Sequence, residues 1–206
     1  MINVEHAGPV CRLTINRPDK AGALTEQMLR DLRDGVRAAR DAPGLILTGT
    51  GAVFSAGADL DAARAGLATS PLWEELSAEI AGFPGLTIAA LNGTVAGGAT
   101  GMVLACDIRL AVDGAKFFYP VMKLGSLPQP SDPMRMAALI GPARTKLVFV
   151  AGQKLSTQQA YDFGLVDEIV DSGTLLDRAH ALCNDICAAG PETARAIKAM
   201  CSREGG

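Results

Sequence analysis

Two glycine-bearing loops hold the residues of this chain best suited to chemistry. The first reads Phe54-Ser55-Ala56-Gly57-Ala58-Asp59-Leu60 and the second Asn92-Gly93-Thr94-Val95-Ala96-Gly97-Gly98. Gly93, Gly97, Gly98 and Gly101 fall within nine positions, and the stretch from Leu91 carries no charge until Asp107. Glycines let a backbone approach a ligand closely. The first N–H groups of a helix are unpaired and lie at its positive end. One such N–H from each loop, meeting in space, would hold the negative charge that develops on a reacting carbonyl oxygen. The same spacing also serves a tightly packed helix entry. It is neither a Walker loop, since no Gly-Lys-Ser/Thr follows, nor a Gly-x-Gly-x-x-Gly fingerprint.

Other nucleophilic arrangements find little support. Val53 stands where a nucleophile elbow at Ser55 would need glycine. His6 and His180 lie outside both loops and read as surface residues, which disfavours a Ser–His–Asp triad. The five cysteines (Cys11, Cys106, Cys183, Cys187, Cys201) form no framework, and Cys183 and Cys187 have no further ligands for zinc. They read as packing residues, and no metal site is expected.

The elements that must position the loops follow from periodicity. Residues 2–6 and 10–16 read as a hairpin turning at Ala7-Gly8-Pro9, with Cys11, Leu13 and Ile15 alternating against Arg12 and Thr14. Thr25 caps a helix over 26–40 whose apolar stripe is Met28, Leu29, Leu32, Val36 and Ala39. Buried strands are expected at Gly44–Thr48, Thr87–Leu91 and Ile108–Val112, with further strands at Lys116–Tyr119 and Leu165–Val170. Helices are expected at 71–81, 98–105, 133–140, 143–151, 156–163, 174–189 and 191–202, with Ser131 or Asp132 as a cap. The segment 49–63 reads as a loop, the chain from Ala62 onward as helical or irregular, and the proline-rich LGSLPQPSDP as irregular. Strands alternating with helices imply an α/β fold with right-handed crossovers and a mostly parallel sheet.

A chain of 206 residues suits one α/β domain, 1–206, with 171–206 as a helical C-terminal part. A net charge of −3 and the lack of basic runs argue against nucleic acid and membrane surfaces as partners. MINVEHAGPV has neither a basic nor an apolar leader region, no apolar run reaches membrane-span length, and the unpaired cysteines fit a reducing cytoplasm.

RPDKAGALT, FSAGADL, LNG…GG…ACDIRLA, LGSLP…LIG and AYDFGLVDEIV, in that order, resemble the crotonase (enoyl-CoA hydratase/isomerase) superfamily over nearly the whole chain. The resemblance implies a spiral of ββα units that binds acyl-CoA thioesters, with CoA as part of the substrate and no separate cofactor. It places the two oxyanion-hole amides at Ala58 and Gly98. CoA contacts would fall on Lys20, Ala21, Ala23, Ala56, Asp59 and Leu60. A homotrimer or hexamer is implied as well, and the family commonly continues a few tens of residues past Glu204.

The chain departs from its relatives at the acid/base positions. Resemblance puts the two hydratase glutamates at Gly101 and Val121, and the aspartate of some isomerases at Gln129. Since a general acid or base contributes about 10²–10⁴-fold, simple hydration is expected to be very slow, and glutamates introduced at 101 and 121 to raise it. Asp61, Glu74 and Glu75 after the first loop, and Tyr119 and Asp132 on either side of Val121, could do chemistry instead. Each has the blander reading of a solvated face, and Asp132 that of a helix cap. A lyase or isomerase with atypical catalytic residues is one reading, including a relocated acid/base or a decarboxylase of a malonyl-type thioester. A non-catalytic acyl-CoA binder and a structural homologue that has lost CoA are the others.

Overall fold

A computed structural model describes residues 1–201. The chain enters as an antiparallel hairpin of β1 (Ile2–Ala7) and β2 (Val10–Ile15). Gly8, at φ +62°, takes the first of the two turn positions, as a type II′ hairpin requires. Helix α1 (Glu26–Ala38) starts at Thr25, whose hydroxyl accepts the Met28 N–H at 3.3 Å, and buries Met28, Leu29, Leu32 and Val36.

A unit of two strands followed by helix then recurs three times. It comprises β3 (Gly44–Gly49), β4 (Val53–Ser55), α2 (Leu60–Arg64) and α3 (Leu72–Ala81). The second round is β5 (Leu86–Leu91), β6 (Thr94–Ala96) and α4 (Ala99–Leu104). The third is β7 (Ile108–Ala111), β8 (Lys116–Phe118), α5 (Val121–Leu124) and α6 (Asp132–Phe149). The chain closes with β9 (Leu155–Ser156), α7 (Thr157–Phe163), β10 (Glu168–Ile169), α8 (Leu175–Leu182), α9 (Asn184–Ala189) and α10 (Pro191–Cys201). First strands join a six-stranded sheet ordered β1-β2-β3-β5-β7-β10, and second strands a four-stranded sheet ordered β4-β6-β8-β9. All neighbours run parallel except β1–β2 and β8–β9. This is the expected ββα spiral.

Several local readings change. Of the smaller sheet only β8 is legible, at the strand expected over Lys116–Tyr119, because β4 and β6 are three residues each and too short to display a period. The strand expected at Leu165–Val170 pairs only at Glu168–Ile169, and the helix expected over 174–189 breaks at Cys183. Gly141, at φ +78°, bends α6 immediately before Pro142, so the two expected helices abut. Neither Ser131 nor Asp132 caps α6 with its side chain; Asp132 is instead wholly buried. Helix α8 covers the outer face of the large sheet through Leu175 and Ala179, packed with Ile46, Ile88 and Leu110. Lys198 ties α10 to the N-terminal ends of β5 and β7 through the carbonyls of Phe83 and Gly85 and the Asp107 carboxylate. Residues 202–206, which include the end of the expected last helix, lie outside the described residues.

Candidate active site

Because β4 and β6 are parallel neighbours, the loops that leave their C-terminal ends lie side by side. A Cβ on Gly57 would come within 2.9 Å of the Ala96 carbonyl oxygen and 3.5 Å of the Gly98 nitrogen. Gly57 also sits at φ +90°, so only glycine fits where the two loops touch. Across Ala58, the Gly57 carbonyl accepts from Leu24 N–H and the Asp59 N–H donates to the Leu24 carbonyl, both at 2.8 Å. In such a pairing the intervening residue turns its own N–H the other way. Ala58 N–H accordingly has no acceptor among the described residues. The Gly97 N–H goes to the Phe118 carbonyl, while Gly98, at the start of α4, also donates to nothing among the described residues. Ala58 and Gly98 are both half-buried, so two free backbone donors from touching loops remain open to a ligand.

The residues expected to contact CoA gather along one rim of this site. Ala56 N–H donates to the Ala21 carbonyl at 2.9 Å, and Ala21 holds φ +51°. Arg17 Nη1 bridges the Ala23 carbonyl and the Asp59 carboxylate, each at 2.8 Å. Asp59 also caps α2 by accepting the N–H groups of Asp61 and Ala62. Those backbone bonds, with Arg17, hold its carboxyl below the usual range. Its side chain is therefore a structural clamp rather than a free ligand group. Lys20 is exposed, and Leu60 at 75% exposure is a bare apolar surface two residues beyond Ala58.

One turn along α4, the space over Gly101 is filled. A Cβ there would lie 2.7 and 3.1 Å from the two carboxyl oxygens of Asp132 and 3.0 Å from Ser77 Oγ. Asp132 is 0% exposed, and neither oxygen makes a hydrogen bond of ordinary geometry. Burial pushes this carboxyl up to about 7; the Tyr119 hydroxyl and Arg135 draw it down and Glu74 pushes it further up. Tyr119 is itself buried, its phenol raised by burial and by Asp132. Glu74 accepts from both the N–H and the hydroxyl of Ser131, at 3.2 and 3.0 Å, which pins α3 to the entry of α6 and fixes where Asp132 points. Trp73 on the same helix covers Gly98, its ring 3.0 Å from where a Cβ would be, and donates its indole N–H to the Leu67 carbonyl.

This geometry bears on two expectations. A glutamate introduced at 101 would meet the Asp132 carboxyl at its Cβ, so that side chain must shift to admit it. Asp132 is not a surface cap beside Val121 but an acid over Gly101. Val121 itself is a buried apolar residue.

The remaining candidates fall away. Asp61 pairs with Arg64 and Glu75 with Arg33 on the surface. Gln129 is buried, with its side chain on the Ala68 carbonyl and its N–H on the Tyr119 hydroxyl. Ser55 donates to the Gly22 carbonyl. His6 is exposed as expected, whereas His180 is half-buried. All five cysteines are free thiols, and burial pushes Cys106 up to about 12. Among the described residues no group of side chains could hold a metal ion, and no helix is long and apolar enough to cross a membrane.

Comparisons with known proteins agree with this architecture. Residues 5–204 match the profile of the Enoyl-CoA hydratase/isomerase family. The chain is 32% identical over 204 residues to carnitinyl-CoA dehydratase of Salmonella arizonae, covering 93% of this chain and 76% of the relative. Among solved structures, an enoyl-CoA hydratase from Bacillus anthracis superposes with a TM-score of 0.90 at 30% identity, over 98% of this chain and 82% of that one. DspI from Pseudomonas aeruginosa gives 0.87 at 31%, over 96% and 78%. The chain belongs to the enoyl-CoA hydratase/isomerase family of the crotonase superfamily, whose members act on acyl-CoA thioesters.

Proposed function

We propose that this protein binds an acyl-CoA thioester with its carbonyl oxygen between the N–H groups of Ala58 and Gly98 and stabilises the enolate that forms when charge moves onto that oxygen. The observation that carries this reading is the pair of unpartnered, half-buried amides in two touching loops. Donors fixed before reaction need no reorganisation when charge appears, and one such donor is worth about 10²–10³-fold. The rim formed by Lys20, Ala21, Ala23, Ala56, Asp59 and Leu60 would carry the CoA moiety, largely through backbone groups.

Hydration of a simple enoyl-CoA is slow in this reading. It needs water held and protonation balanced by two carboxylates, whereas Val121 supplies none and the space over Gly101 holds the single carboxyl of Asp132. The reaction is one of proton movement at carbon or loss of a carboxyl group, in the class of isomerases and lyases. Exposed Met122 and Leu127 line an apolar groove of about 380 Å³ with Val121 and Phe149, which supports a ring of copies as the working form.

The test is calorimetric titration with butyryl-CoA and crotonyl-CoA while crotonyl-CoA hydration is followed by absorbance. Saturable binding with little hydration is the expected result. Rapid hydration, or no binding of either thioester, would overturn the reading. Binding without turnover over a broad panel of thioesters would make the protein an acyl-CoA binder.

A further inference from the structure

We propose that Asp132 is the acid–base residue of this site, taking a proton from the acyl carbon next to the thioester and returning it to carbon. This rests on the reading that Ala58 and Gly98 hold the thioester oxygen. Gly101 lies three residues beyond Gly98, so the two share a face of α4 about 5 Å apart along the helix. A carboxyl placed over Gly101 therefore stands next to the hole. The chain has removed the side chain at 101 and filled that space from another element, α6.

Its surroundings suit a proton carrier better than a structural group. A buried carboxyl is normally satisfied by hydrogen bonds, yet both oxygens of Asp132 lack a partner of ordinary geometry. Among the described residues no cation forms an ion pair with it: Arg135, one turn along α6, faces it and draws it down only through space, and its Nη1 is likewise buried without a partner. The groups that face Asp132 are Tyr119 from the end of β8, Glu74 and Ser77 from α3, and Arg135 from its own helix. Burial and the Glu74 carboxylate keep a proton on it into the neutral range, where a group can both accept and donate.

The step balances within one residue. The Asp132 carboxylate takes the α proton; the C–H electron pair becomes a C=C bond, and the carbonyl π pair moves to oxygen as an enolate held by the two amides. Protonated Asp132 then returns the proton to carbon, at the α position for exchange or at the γ position when an adjoining double bond carries the charge there. No external oxidant, reductant or metal is required. Glu74 and Ser131 act as positioning residues, because their hydrogen bonds set the start of α6.

The experiment follows exchange of the α protons of butyryl-CoA in deuterated water by mass spectrometry, with calorimetry on the same samples. The wild-type protein should exchange, with a rate that rises with pH through a single inflection near neutrality. Asp132→Asn should bind butyryl-CoA as before and lose about 10²–10⁴-fold in exchange, and Glu74→Gln should move the inflection downward. Undiminished exchange in Asp132→Asn, or a wild-type protein that binds but does not exchange, overturns the assignment. Failure of wild type to bind overturns the enolate reading beneath it. Should Asp132→Asn not fold, the wild-type pH profile and its displacement in Glu74→Gln decide: a profile flat through neutrality refutes the proposal.

Discussion

Substituting Gly101 by alanine tests whether Asp132 really occupies the space above α4. In an ordinary helix interior that change stabilises by about 0.5–1 kcal/mol. Here the new methyl would lie 2.7 Å from one Asp132 oxygen and 3.1 Å from the other. Forcing extra volume into a packed core costs about 1–3 kcal/mol, so Gly101→Ala should destabilise by about 1–2 kcal/mol net. In an Asp132→Ala background the carboxyl is gone and only Ser77 Oγ, at 3.0 Å, remains close. There the same change should be neutral or stabilising. The double-mutant cycle, read by urea denaturation at constant pH, should thus show a coupling of about 1–3 kcal/mol. Independent sites add to within about 0.3–0.5 kcal/mol. A cycle that closes inside that limit would refute the packing of Asp132 on Gly101 and the argument built on it.

Other consequences can be checked separately. Asp132 has its carboxyl raised from 3.8 to about 7, so between those values the folded protein keeps a proton that the unfolded chain has released. Stability should fall as pH rises across that window and level off above it, by up to about 4 kcal/mol for a gap of this size; Asp132→Asn should remove that slope in thermal melts. Gly57→Ala meets both φ +90° and the Ala96 carbonyl at 2.9 Å. It should cost about 1–3 kcal/mol and weaken acyl-CoA binding measured by calorimetry. Replacing Ser131 by alanine removes one hydrogen bond to Glu74. It should cost about 1–3 kcal/mol in denaturation and slow exchange less than Asp132→Asn does.

The fold was readable where periods are long and blocks are ordered: the first hairpin, α1, and the strands at Gly44, Thr87 and Ile108 stand where the sequence places them. The small sheet was readable only at β8, since three-residue strands such as Thr94–Ala96 carry no detectable alternation. Around the candidate site, ordered motifs single out Ala58 and Gly98, whose N–H groups have no acceptor among the described residues. Ser-Asp-Pro at a helix start leaves Asp132 open between a solvent-facing cap and a reactive acid. Only the packing of α6 against Gly101 decides that the side chain turns inward, and that depends on residues 31 positions apart.

The most direct measurement is a crystal structure with butyryl-CoA bound. The account requires the thioester oxygen to lie about 2.7–3.1 Å from both the Ala58 and the Gly98 nitrogen, with the α carbon turned toward Asp132. A thioester seated anywhere else, or an oxygen reached by one of those nitrogens alone, would contradict it.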